Sequence, residues 1–180
     1  MKHKDTLEIA PDALQSTRKP LKEKSNSRIP KKVKQSSKKT VKGRAWDAFS
    51  KFIRTRDCLR TTGCPDWGLC ITCGKRYHIK LLQAGHFISG RHNANLFSEK
   101  GCHAQCYNCN INLRGNTLEY RRKIIEMYGE GFDEVLEKEA RVIKKYTLQD
   151  LTELEKCYKM KIETLLAELI DYCKKIQEKK

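Results

Sequence analysis

Two cysteine pairs of the same spacing, Cys70-Ile71-Thr72-Cys73 and Cys106-Tyr107-Asn108-Cys109, stand 32 residues apart. Four thiolates at that spacing suit one tetrahedral Zn²⁺, which would tie two distant turns together and leave no open position for a substrate. Such a metal is structural, and its binding energy is folding energy for a small core. The chain has nine cysteines, an odd number, and its start, Met1-Lys2-His3-Lys4-Asp5, lacks the apolar stretch of a secretory signal. Metal ligation is therefore expected in place of a disulfide framework. Cys102 and His103 are competing ligands beside the second pair. Cys58 and Cys64 match no common zinc spacing, and Cys157 and Cys173 fall in a helical pattern as small apolar residues.

A third of the 180 residues are charged and the mean hydropathy is −0.73. That composition excludes one large core and favours a small centre with helical or disordered extensions. The net charge of +16 points to a polyanion, most often nucleic acid. Most of the excess lies in residues 1–43, which are poor in aromatics and rich in Lys, Ser and Thr. These read as a disordered basic tail able to contact phosphates without sequence choice. No apolar run approaches the ~20 residues of a membrane span, and a cytoplasmic location is expected.

Along the chain, Trp46, Phe49, Phe52 and Ile53 mark one face of a helix from Arg44 to Arg56, with Lys51, Arg54 and Arg56 off that face, toward solvent or phosphate. Cys58 to Trp67 reads as a loop, and Gly74 as the turn of the first knuckle. Ile79 to Ile88 reads as a single strand. Ser89 to Asn95 reads as a loop, and Tyr107 to Leu113 as a short helix closed by Gly115. Asn116 and Glu119 have the spacing of a capping box for a helix reaching about Tyr128. A further helix is expected from Phe132 to about Ile143, and a last one from Thr147 onward. On that last helix Tyr158, Ile162, Leu165, Leu169, Tyr172 and Ile176 alternate steps of four and three, a seam that can fold back on the chain or pair with a second copy as a homodimer.

His86, between the cysteine pairs at the end of the expected strand, is placed to take a proton from water. Asn110, directly after Cys109, offers a carbonyl oxygen to a hard cation. Each alone reads as structural. Together with the two knuckles they resemble the HNH, or ββα-metal, nuclease fold. At family level, Ala84-Gly85-His86-Phe87, Leu96-Phe97-Ser98-Glu99, His103-Ala104-Gln105-Cys106 through Asn110, and Gly115-Asn116 resemble the NinG family of lambdoid phages, the Rap recombination endonucleases. So do Phe52-Ile53-Arg54 through Asp57, and Tyr128-Gly129 with Asp133-Glu134 before a long charged helix.

The resemblance implies an α+β fold with a small zinc-stapled ββα-metal core over 44–128, an N-terminal helix and a C-terminal helical extension over 129–180. It implies a metal-dependent endonuclease that cuts branched DNA, such as D-loops and Holliday junctions, in the cytoplasm of a phage or prophage host. His86 would be the general base and Asn110 a ligand of catalytic Mg²⁺ or Mn²⁺. His103 would have a supporting metal or phosphate role. Arg91, His92, Lys100 and Arg114 are candidates for phosphate contact. The sequence departs from the HNH pattern at Gly85, where an acidic metal ligand often precedes the base, and near Gly101, where the middle Asn would fall. Asn93, Asn95 or Glu99 could take that Asn's place. A zinc-stapled DNA-binding module without catalysis is the alternative.

Overall fold

The computed structural model describes residues 38–90 and 93–178. Most of the expected tail, and both Arg91 and His92, lie outside them. Helix α1 runs over Lys38–Thr62, strand β1 over Trp67–Leu69 and β2 over Arg76–His78. A single 3-10 turn, Ile79–Leu81, leads into β3, Leu82–His86. Strand β4 spans Cys102–Cys106 and a π-helical turn follows over Asn108–Asn112. Helices α2 (Thr117–Tyr128), α3 (Phe132–Ala140) and α4 (Leu148–Gln177) complete the described chain. The class is α+β, as expected.

Each sheet is one antiparallel pair. β1 pairs with β2. β3 pairs with β4 in a register that sets Leu82 opposite Cys106, Gly85 opposite His103 and His86 opposite Cys102. Side chains alternate across a strand, so this ladder has two chemically distinct faces. Leu82, Ala84, Cys102, Ala104 and Cys106 pack toward α1 and the cysteine cluster. Gln83, Gly85, His103 and Gln105 fall on the other face. There the Tyr120 hydroxyl of α2 donates to the Gly85 carbonyl at 2.8 Å, and Tyr120 and Tyr128 approach the His103 ring.

Helix α1 begins earlier and ends later than expected. Val41 and Ala45 are buried against Tyr146 and Leu151, which draws residues 38–43 into the helix. Cys58 is buried behind the cysteine cluster, so the expected loop begins only at Gly63. The expected basic face is largely consumed by the fold. Arg56 donates to the Glu99 and Cys102 carbonyls at 2.7 and 2.9 Å, and Arg54 to the Ile79 carbonyl at 3.2 Å. Of the three, only Lys51 is exposed. The strand expected over Ile79–Ile88 is shorter, because its first three residues form the 3-10 turn.

Two helix starts differ in their capping. Asn116 adopts φ 46° and its side chain makes no capping hydrogen bond. Thr147 and Asp150 form a reciprocal capping box, with Asp150 N–H donating to Thr147 Oγ1 at 3.1 Å. That box fixes the start of α4, whose first half packs on α1. Phe49 meets Phe97 and Tyr158 edge to face, at centroid separations of 5.6 and 5.0 Å. Beyond Leu169 the expected seam is uncovered, with Tyr172 and Ile176 exposed. Helix α3 stops at Ala140, and Ile143 is 89 % exposed: it has no apolar neighbour to extend the helix toward.

Candidate metal-stapled active site

The sulfurs of Cys70, Cys73, Cys106 and Cys109 all lie within 4.8 Å of one another, with Cys73 and Cys106 at 4.0 Å. Zn–S bonds of about 2.3 Å in a tetrahedron require S···S of about 3.8 Å, so a modest contraction closes the site on a zinc ion. Gly74 makes the first knuckle possible. At φ +67° its N–H donates to the Cys70 carbonyl at 2.9 Å, a conformation that a side chain resists. Burial pushes the Cys70 thiol up, but the N–H groups of Cys73 and Cys106 and the Thr72 hydroxyl outweigh it and bring it down to about 7. Burial and the adjacent Cys70 and Cys109 sulfurs push Cys73 up to about 12. Four thiolates cannot share this space without a cation, which is the electrostatic signature of a metal cage. Cys58, Cys64, Cys102 and His103 stand outside the cluster.

The cysteine cluster positions the residues around it. Cys106 ends β4 and Cys109 lies in the π-helical turn, so Asn110 is delivered beside the end of β3. His86, Asn110 and Arg114 line one cavity of about 270 Å³, together with Phe87 and Gly115. That is smaller than the ~300–1,000 Å³ of a usual small-molecule pocket. It suits a group presented from outside, such as a phosphodiester.

The His86 ring stacks on Trp46 at 5.4 Å between centroids and an interplanar angle of 23°. Its Nε2 lies 3.2 Å from the Leu96 carbonyl, which can only accept, so Nε2 carries a proton. The Asn110 Nδ2 donates to Gln83 Oε1 at 2.7 Å, which turns its Oδ1 toward Gly85.

Other expected site residues lie elsewhere. His103 is fully buried: Nε2 donates to the Lys100 carbonyl at 3.1 Å, and Nδ1 lies 3.0 Å from Arg56 Nη2 and 3.2 Å from Asp57 Oδ2. Burial holds its pKa down against the pull of Asp57. The ring expected to have a supporting metal or phosphate role thus lies inside the fold and does not line the His86–Asn110 cavity. Lys100 lies over the Tyr128 and Phe132 rings, at 6.0 and 5.1 Å, and does not line the cavity.

Two neighbours of the site, Trp46 and Gln105, were given no site role from the sequence. Trp46 stacks on the His86 ring. Asn95, among the three alternatives for the middle Asn, is buried and donates to the Ile88 and Gly90 carbonyls at 3.0 and 3.3 Å. It thereby fixes the segment after His86, whereas Gly101 only lets Ser98 approach. Gln105 is buried between the zinc cluster and Gly85. A larger cavity of about 470 Å³ between α1 and α4 contains Arg44, Glu155 and Lys159. Within it Glu155 lies 3.0 Å from Arg44 and 2.7 Å from Lys159.

A sequence model of the family described as bacteriophage lambda NinG protein matches residues 1–168. Comparison with curated proteins and with solved structures gives no significant match. The matched span takes in the whole cysteine cage, the His86–Asn110 cavity and most of α4, and the chain belongs to the NinG family of bacteriophage lambda.

Proposed function

We propose that this protein is a metal-dependent DNA endonuclease of HNH-like build, acting on branched recombination intermediates such as D-loops and Holliday junctions. The observation that carries the reading is the shared cavity of His86, Asn110 and Arg114 beside a four-cysteine cage. Its chemistry is phosphodiester hydrolysis. His86 takes the proton from the attacking water as general base. The Leu96 carbonyl fixes the tautomer by accepting from Nε2–H, and the Trp46 ring supports the imidazole as it gains charge. Arg114, exposed at the cavity edge, is placed to hold a phosphate.

The side chains around Gly85 fit a divalent cation. The space a Cβ would fill there is faced by two amide oxygens, one of them buried and without a partner. Mg²⁺ or Mn²⁺ bound there supplies positive charge to the leaving 3′ oxygen. In this reading the zinc ion is the staple, Asn110 is a metal ligand, and the net charge of +16 draws DNA in. The N-terminal residues act as a basic arm, and the uncovered end of α4 offers a surface for a second copy. The site of action is the host cytoplasm.

The decisive experiment incubates linear, flapped, D-loop and four-way DNA with the protein and Mg²⁺ or Mn²⁺. Wild type should cut at least one branched substrate. His86→Ala should lose at least a hundredfold in rate while keeping its zinc and its DNA affinity. Branched substrates left intact by the wild type would leave a zinc-stapled binding module in place of a nuclease.

A further inference from the structure

Two buried side-chain oxygens among the described residues have no hydrogen-bond partner, Asn95 Oδ1 and Gln105 Oε1. The second lies next to the proposed chemistry. Gln105 is completely buried. Its Nε2 donates to the Gly115 carbonyl at 2.8 Å and to Thr72 Oγ1 at 3.3 Å. A carbonyl can only accept, so the amide cannot be flipped, and Oε1 must face Gly85. There it stands 2.1 Å from the position a Cβ would occupy, and Asn110 Oδ1 stands 3.1 Å from the same point. The lack of a side chain at Gly85 thus leaves room for two converging amide oxygens, each turned there by a hydrogen bond from its own nitrogen.

We infer that Gln105 Oε1 is a ligand of the catalytic divalent cation, shared with Asn110 Oδ1, and replaces the side chain that residue 85 does not have. The inference rests on the nuclease reading and adds to it a ligand from β4. Hard cations accept amide carbonyl oxygens, and Mg²⁺ commonly keeps several waters while taking few protein ligands. Two neutral oxygens hold such an ion weakly, so the DNA phosphate must complete the site. Thr72 connects the two metal sites. Its hydroxyl accepts from Gln105 and lies 3.3 Å from Cys70 Sγ, so the zinc cage orients the Gln105 amide.

The test is Mn²⁺ binding to the zinc-loaded full chain, followed by the electron paramagnetic resonance signal of free Mn²⁺. Wild type should bind one Mn²⁺. Gln105→Met and Asn110→Ala should each weaken binding at least tenfold with the zinc retained. Gln105→Glu keeps an oxygen but cannot donate to Gly115, and it should bind at least as tightly as wild type. If Gln105 only braced Gly115, the Glu and Met variants would weaken binding alike, and the inference would fail. Unchanged binding in Gln105→Met would also overturn it, while leaving wild-type cleavage and the nuclease reading intact. No Mn²⁺ binding together with no cleavage by the wild type would remove both. Should the Gln105 variants lose zinc or fail to fold, Mn²⁺-soaked crystals of the wild type decide. An anomalous peak about 2.1–2.4 Å from both oxygens supports the assignment, and a peak on Asn110 alone, or none, refutes it.

Discussion

Asp57 shows how one residue can join three parts of the molecule. From α1 it accepts the Ala104 N–H of β4 at 2.7 Å, with Arg56 at 2.9 Å and Arg60 at 3.3 Å beside it. Burial alone would raise its pKa. The bonds to His103 and Arg56 overcome that and hold the carboxyl well below the usual carboxylate range. A depressed pKa contributes stability that is fully present above the unfolded value of ~3.9 and is lost as pH falls below it. Asp57→Asn should therefore cost about 3 kcal/mol in urea denaturation, because it leaves Arg56 buried without its partner. The cost should stay constant between pH 5.5 and 8, and a penalty that shrank within that window would mean that Asp57 is not held ionised. In the sequence Asp57 is only the end of a family motif, since its role depends on burial and on a strand 47 residues away. Gln105 was hidden for the same reason. It reads as an ordinary polar strand residue until the register places it opposite Gln83 and beside Gly85. The four cysteines were legible because their spacing and residue type already describe a metal cage, whereas His86 and Asn110 each read as structural alone and were joined only by the family resemblance.

At the scale of elements, α4 is part of the core. Tyr158 and Ile162 are buried with Phe49, Phe52 and Ile53 of α1. Phe49→Ala should cost about 3–5 kcal/mol by removing a ring that Trp46, Phe97 and Tyr158 all touch. Deleting residues 147–180 should abolish the cooperative thermal transition. Deleting only 170–180, where Ile170, Tyr172 and Ile176 are exposed, should change stability by less than about 0.5 kcal/mol. Light scattering of that short deletion also tests the second-copy surface: a lower mass than wild type means the uncovered end of α4 pairs chains. The helical periods of α1 and α4 were readable because both bury an apolar stripe. Strand β4 was not, because Cys102, Ala104 and Cys106 look like knuckle residues and carry little strand preference. The π-helical turn resembles a short helix in sequence, and only its extra residue per turn distinguishes it.

At the scale of the molecule, there are two anchorages of different kind, a cage of sulfur and a cluster of rings. Chelation should release one zinc per chain and melt the β3–β4 ladder, since Cys70 is buried against its Leu82, Ala104 and Cys106. Because α1 and α4 keep their own apolar contacts, more than half of the helical circular-dichroism signal should persist. Protons compete for the thiolates, so zinc retention should weaken as pH falls. DNA affinity should fall steeply with salt, and removing residues 1–37 should flatten that slope, measured by anisotropy on a single duplex. The two anchorages also differ in when they can close. The cage needs nothing beyond Cys109, whereas the rings of α1 wait for Tyr158, more than a hundred residues downstream. During synthesis, metal can be loaded while Phe49 and Phe52 are still bare, because α4, the helix that covers them, leaves the ribosome later. A chain released before Tyr158 would carry a finished zinc site and an open flank, and proteases would meet it as an incomplete product.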